Sequence, residues 1–85
     1  MAAIFNIKHD LLLRLYGVGY NYLIRTNRGL LLAYTEKPIK EKNSVCWIVD
    51  EKACPIQDYH LFKEICVLNT EPFNIEEVLN VRGLL

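Results

Sequence analysis

The sequence predicts an α+β domain: a small antiparallel sheet of three to five strands with one or two short helices packed against it. Three observations carry this reading. Two alternating apolar runs flank Asn27-Arg28-Gly29, an Asn74…Glu77 pair opens an apolar stretch near the C-terminus, and the remaining apolar runs are short and bounded by Pro, Asn and Asp. Alternation is the period of a strand, the Asn–Glu spacing is that of a capped helix, and brief apolar runs between turn residues are strand-sized. At 85 residues the chain is sized for a single domain with one hydrophobic core.

Taken in order, Ala2–Ile7 reads as a short strand. Asp10 then stands as the cap of a helix over Leu11–Tyr16, ended by Gly17 and Gly19; a buried strand running on to Val18 describes the Leu11-Leu12-Leu13 run almost as well. Tyr20–Thr26 and Leu30–Thr35 are predicted to pair through a three-residue loop with Gly29 in the left-handed conformation. That loop sets Ile24 opposite Leu32 and Tyr22 opposite Tyr34 on a core-facing side, with Arg25 opposite Leu31 on the other. A slip of one residue would mix the two faces.

Glu36–Ser44 reads as a polar loop carrying Lys37, Lys40 and Lys42. Val45–Val49, centred on Trp47, is predicted as a short strand in the middle of the sheet, and Cys54-Pro55 as a break in regular structure. Asp58 caps a single turn reaching Leu61, and Phe62–Leu68 reads as a further strand closed by Asn69-Thr70-Glu71-Pro72. Asn74 with Glu77 forms a capping box that opens a helix over Ile75–Asn80, with Ile75, Val78 and Leu79 on one side. The expected core is Ile24, Leu32, Trp47, Ile65 and Val78.

Ten basic and ten acidic residues give a formal net charge of zero, which removes the bulk attraction that nonspecific nucleic-acid binding relies on. The charge is unevenly placed. Residues 1–52 carry eight basic and five acidic groups, whereas residues 53–85 carry two and five. Three cysteines, Cys46, Cys54 and Cys66, form no C-x-x-C pair and are an odd number, so a reducing cytoplasm is the simpler expectation. Lys8, His9 and Asp10 interrupt the N-terminal apolar segment, and no run reaches the roughly 18 apolar residues of a membrane span, so no membrane association is expected.

Residue types capable of chemistry are present without an ordering motif. A Cys–His nucleophile would need Cys46 or Cys54 beside His9 or His60, and a zinc site would need Cys54, His60 and Cys66, whose spacing lacks close ligand pairs. Gly17-x-Gly19 lacks the third glycine of a phosphate loop, and the carboxylates of Asp50-Glu51 and Glu76-Glu77 are sequence neighbours that diverge rather than converge. The expectation is therefore a non-enzymatic protein with no metal or cofactor.

From Tyr22 to Leu79 the chain has a hairpin through Leu23-Ile24-Arg25 and Gly29-Leu30-Leu31, a Glu36-Lys37-Pro38 element, Trp47, Phe62 and an acidic-proline ending at Glu71-Pro72. In these features it resembles small uncharacterised proteins encoded by bacteriophages and prophages of Gram-positive bacteria. The resemblance implies a cytoplasmic protein of a bacterial host that binds and modulates a host or phage protein, with an anti-CRISPR-like inhibitor of a defence nuclease as its concrete version. The residues expected to meet the partner are Arg25, Arg28, Lys37, Lys40 and Lys42, taken to project together from one end of the sheet. The alternative is a nucleic-acid-binding accessory protein that uses the same basic half, with Tyr20 as a stacking platform. Self-association as a homodimer is expected from uncovered sheet edges.

Overall fold

The computed structural model describes residues 7–83. The predicted strand over Ala2–Ile7 lies outside the described residues except for Ile7, which is helical. The elements run α1 (Ile7–Gly17), β1 (Tyr22–Arg25), β2 (Leu31–Tyr34), β3 (Cys54–Pro55), β4 (Phe73–Asn74) and α2 (Ile75–Val81). The strands form one antiparallel sheet in the order β3-β2-β1-β4. This is the α+β architecture that the sequence predicts.

The hairpin forms in the predicted register, with Tyr22 opposite Tyr34, Ile24 opposite Leu32 and Arg25 opposite Leu31. Its loop closes through Thr26 N–H to the Leu30 carbonyl at 2.9 Å, and Gly29 takes φ +85°, a conformation that a Cβ would strain. Helix α1 contains the Leu triplet, which settles the helix-or-strand alternative. Asp10 lies inside it and pairs with Arg14 one turn on, at 3.0 Å, rather than capping it. Gly19, at φ +104°, turns the chain out of α1 while Tyr20 N–H bonds back to the Leu15 carbonyl. Helix α2 has the predicted cap: Asn74 Oδ1 accepts the Glu77 N–H at 2.9 Å.

Both faces of the sheet are covered. On one, Leu23, Leu31 and Ala33 pack with Leu11, Leu12 and Leu15 of α1, Ile75 and Leu79 of α2, and Ile56, Phe62 and Ile65. On the other, Ile24, Leu32 and Tyr34 meet Trp47 in a separate, smaller cluster. The face taken as core from the sequence is thus the lesser one, and the side that carries Arg25 opposes the helices. Four of the five expected core residues are buried. Val78 is only half-buried, packed at the margin of the main core.

Two predicted strands are absent. Val45–Val49 lies outside the sheet, and its one β-bridge is the pairing of Trp47 with Lys40 in the neighbouring loop. Of its apolar residues Trp47 alone is buried, while Val45, Ile48 and Val49 stay exposed, so the run lies over the sheet through one anchor instead of entering it. Phe62–Leu68 is a chain of turns, closed by Leu61 N–H to the Asp58 carbonyl, Ile65 N–H to Phe62 and Asn69 N–H to Cys66. Its buried residues, Phe62 and Ile65, stand three apart, which is a turn spacing and not an alternation. Conversely Cys54-Pro55, read as a break, forms the short edge strand β3. Proline suits that place, since an edge strand leaves one row of its backbone groups unpaired.

Candidate surface for a protein partner

The five cations expected to act together have different environments. Arg25 is occupied within the fold: its Nε donates to the Ile65 carbonyl at 3.0 Å, Nη1 to the carbonyls of Gly29 and Tyr59, and Nη2 to those of Leu61 and Phe62 at 3.0 Å each. It ties residues 59–65 to the hairpin. One of the bonded carbonyls belongs to Phe62, a buried residue at φ +58°, a conformation unfavourable for an aromatic side chain and held here by the surrounding bonds. Lys40 is likewise internal. Its Nζ donates to the Val67 carbonyl at 2.8 Å and lies 4.8 Å from the centre of the Trp47 ring.

The remaining three cations are exposed. Lys37 forms a surface ion pair with Glu71 at 3.3 Å, whereas Arg28 and Lys42 have no side-chain partner among the described residues. Nor do the five share one end of the sheet. Arg28 sits in the closed loop of the hairpin, and Lys37 lies beside Tyr22, Glu71 and Asn74 at the open end, separated from the loop by the length of β2, about 10 Å.

The surface that is brought together is apolar, and it is built by residues 36–52. Asn43, at φ +58°, turns this segment back on itself; Glu41 N–H then bonds to the Cys46 carbonyl at 2.9 Å and Ile48 N–H to the Ile39 carbonyl at 2.8 Å. Trp47 points inward, 5% exposed, and this turns the adjacent Ile48 outward. Ile39, Val45, Ile48 and Val49 are 63%, 51%, 42% and 55% exposed. Ile39 and Ile48 wall a shallow groove of about 200 Å³ whose floor includes Tyr34 and Pro38 and whose rim holds Lys37, Asp50 and Lys52. Tyr34 donates its hydroxyl to the Ile48 carbonyl at 3.0 Å. Burial, followed by the charge of Asp50, holds that hydroxyl above the usual tyrosine pKa, so it remains a neutral donor through the physiological range.

The sequence does not reveal these exposed aliphatics, because the composition of Val45–Val49 equally suits a sheet strand. The legible signal is the pair of turn residues Asn43-Ser44 between Ile39 and the Val45–Val49 run, which marks a local reversal. The proposed stacking platform is also displaced. Tyr20 packs against the main core beside Cys54, whose thiol raises the Tyr20 hydroxyl pKa first by hydrogen bonding and then by charge, with burial adding to it. The ring of His60 stands edge-on to Tyr59 at 6.3 Å, and among the described residues no three His, Cys, Asp or Glu side chains gather as a metal site. No described helix is long and apolar enough to cross a membrane. Comparison with protein-family models, with curated proteins and with solved structures finds no match.

Proposed function

We propose that the protein is a non-catalytic binding module that acts on another protein through the outer surface of residues 36–52. The observation that carries this is the pairing of exposed Ile39 and Ile48 across one reversed segment as the walls of a groove with a charged rim. Single exposed aliphatics are ordinary, but two that wall one groove rimmed by charged groups have the composition of a small protein-recognition site. Arg28 and Lys42 add exposed cations that adjust the rate of encounter, while Arg25 and Lys40 support the fold beneath. The resemblance to small phage proteins supports a host protein as the target, a defence nuclease being the concrete version. A nucleic-acid partner is less favoured, because the neutral chain has Lys40 turned inward and Tyr20 packed on the core.

The test is quantitative capture of the partner from host lysate at several salt concentrations. Ile39→Glu combined with Ile48→Glu should weaken capture more than tenfold, roughly 1.4 kcal/mol. Val18→Glu, at the end of α1 and away from the patch, should leave it unchanged. Equal capture by all three proteins would place the interface elsewhere, and a steep loss with salt would favour nucleic acid.

A further inference from the structure

Residues 35–53 leave β2 at Tyr34 and return to the neighbouring strand β3 at Cys54. Adjacent antiparallel strands need only about two to five residues to turn, and irregular segments above roughly 12–15 residues are uncommon in compact domains and usually functional. This strap has one buried aromatic anchor. Trp47 and its partners Ile24, Leu32 and Tyr34 form a cluster apart from the main core, on the far side of the sheet from both helices. The other ties are few: Lys40 to the Val67 carbonyl and to the indole face, the Tyr34 hydroxyl to Ile48, the exposed Lys37–Glu71 pair, and at the strap's two ends the Asn21 side-chain amide to the Thr35 carbonyl and Ala53 packed on the Trp47 cluster. The Trp47 Nε1–H is buried with no acceptor among the described residues, so burial of the ring leaves unmet a hydrogen bond that solvent would supply to an exposed indole.

The rest of the fold does not depend on the strap. The β1–β2 register, the β1–β4 pairing, the cap of α2 and the packing of α1 on Leu23 and Leu31 involve no residue of 35–53. We propose that the strap is a lid that unfolds as a unit from an intact core of helices and hairpin, uncovering the Tyr22, Ile24, Leu32 and Tyr34 face together with the Trp47 indole. The strap's own Glu41–Cys46 and Ile48–Ile39 backbone bonds are lost with the anchor, since an isolated short hairpin is marginal in water. Small clusters held by few ties open at lower free energy than the global transition. Opening is a property of the free chain, and therefore stands or falls separately from the protein-binding reading of the strap's outer surface.

Native-state hydrogen exchange on the full chain tests it. The Glu41 and Ile48 amides, bonded within the strap, should be protected at least about tenfold less than those of Asn21 and Ile75, which are bonded within the hairpin and β4–α2 region, and should respond more weakly to denaturant. Lys40→Met retains the stem and removes the charge and donor. It should raise strap exchange about tenfold, leave Asn21 and Ile75 unchanged, and increase acrylamide quenching of the single tryptophan. If Glu41 and Ile48 share the protection and denaturant response of Asn21 and Ile75 in the unaltered protein, or if Lys40→Met accelerates all four alike, strap and core are one cooperative unit and the lid is excluded.

Discussion

A guanidinium has five N–H donors in one plane, and at Arg25 the chain meets them with the carbonyls of Gly29, Tyr59, Leu61, Phe62 and Ile65. The hairpin register placed this side chain correctly opposite Leu31, yet its role was illegible, because residues 59–65 reach it only through the tertiary fold. Arginine on a strand face that packs against helices would ordinarily be a burial problem. Here its planar fork resolves the problem by satisfying loop carbonyls that have no ladder partner. Lysine has a compact head with three donors and cannot span these acceptors. Arg25→Lys should therefore lower stability in urea denaturation by about 2–3 kcal/mol, with Arg28→Lys as the neutral control. A loss below about 0.5 kcal/mol, the range of ordinary surface substitutions, would show that residues 59–65 hold their shape without the clasp.

At the scale of elements, legibility followed locality. The hairpin is specified by Asn27-Arg28-Gly29 and by alternation on both sides, and α2 by Asn74 and Glu77, all signals that lie within a few residues of the structure they dictate. The capped helix is testable on that ground. Asn74→Ala removes the acceptor of the Glu77 N–H and should cost about 1 kcal/mol, read as a lower thermal midpoint, while Asn74→Asp should stay close to the original. Retention of full stability by Asn74→Ala would mean that packing of Ile75 and Leu79 alone holds α2. The segments that depart from the predicted strands, Val45–Val49 and Phe62–Leu68, are short apolar runs whose conformation is decided by which one or two residues are buried, Trp47 in one and Phe62 with Ile65 in the other. Runs of this length fit a strand or an anchored loop equally by composition. The edge strands β3 and β4 are two residues each and were invisible for the same reason, since their pairing partners lie far away in sequence.

The whole molecule is a sheet between two unequal clusters, and their inequality has a thermodynamic consequence. Leu12 is fully buried in the main core against elements that unfold together, so Leu12→Ala should lower global stability by about 2–5 kcal/mol. Trp47 is nearly as buried and larger, and in a single cooperative core Trp47→Ala would cost about 3–5 kcal/mol. With a strap that opens on its own, the loss is capped. Weakening the strap's closure affects the balance between folded core and unfolded chain only until the open form dominates, after which further weakening of the strap changes nothing in that balance. Trp47→Ala should therefore lose less global stability than Leu12→Ala, by about 1 kcal/mol or more, when urea unfolding is followed by the helical circular-dichroism signal. An equal or greater loss from Trp47→Ala would merge the two clusters into one cooperative core.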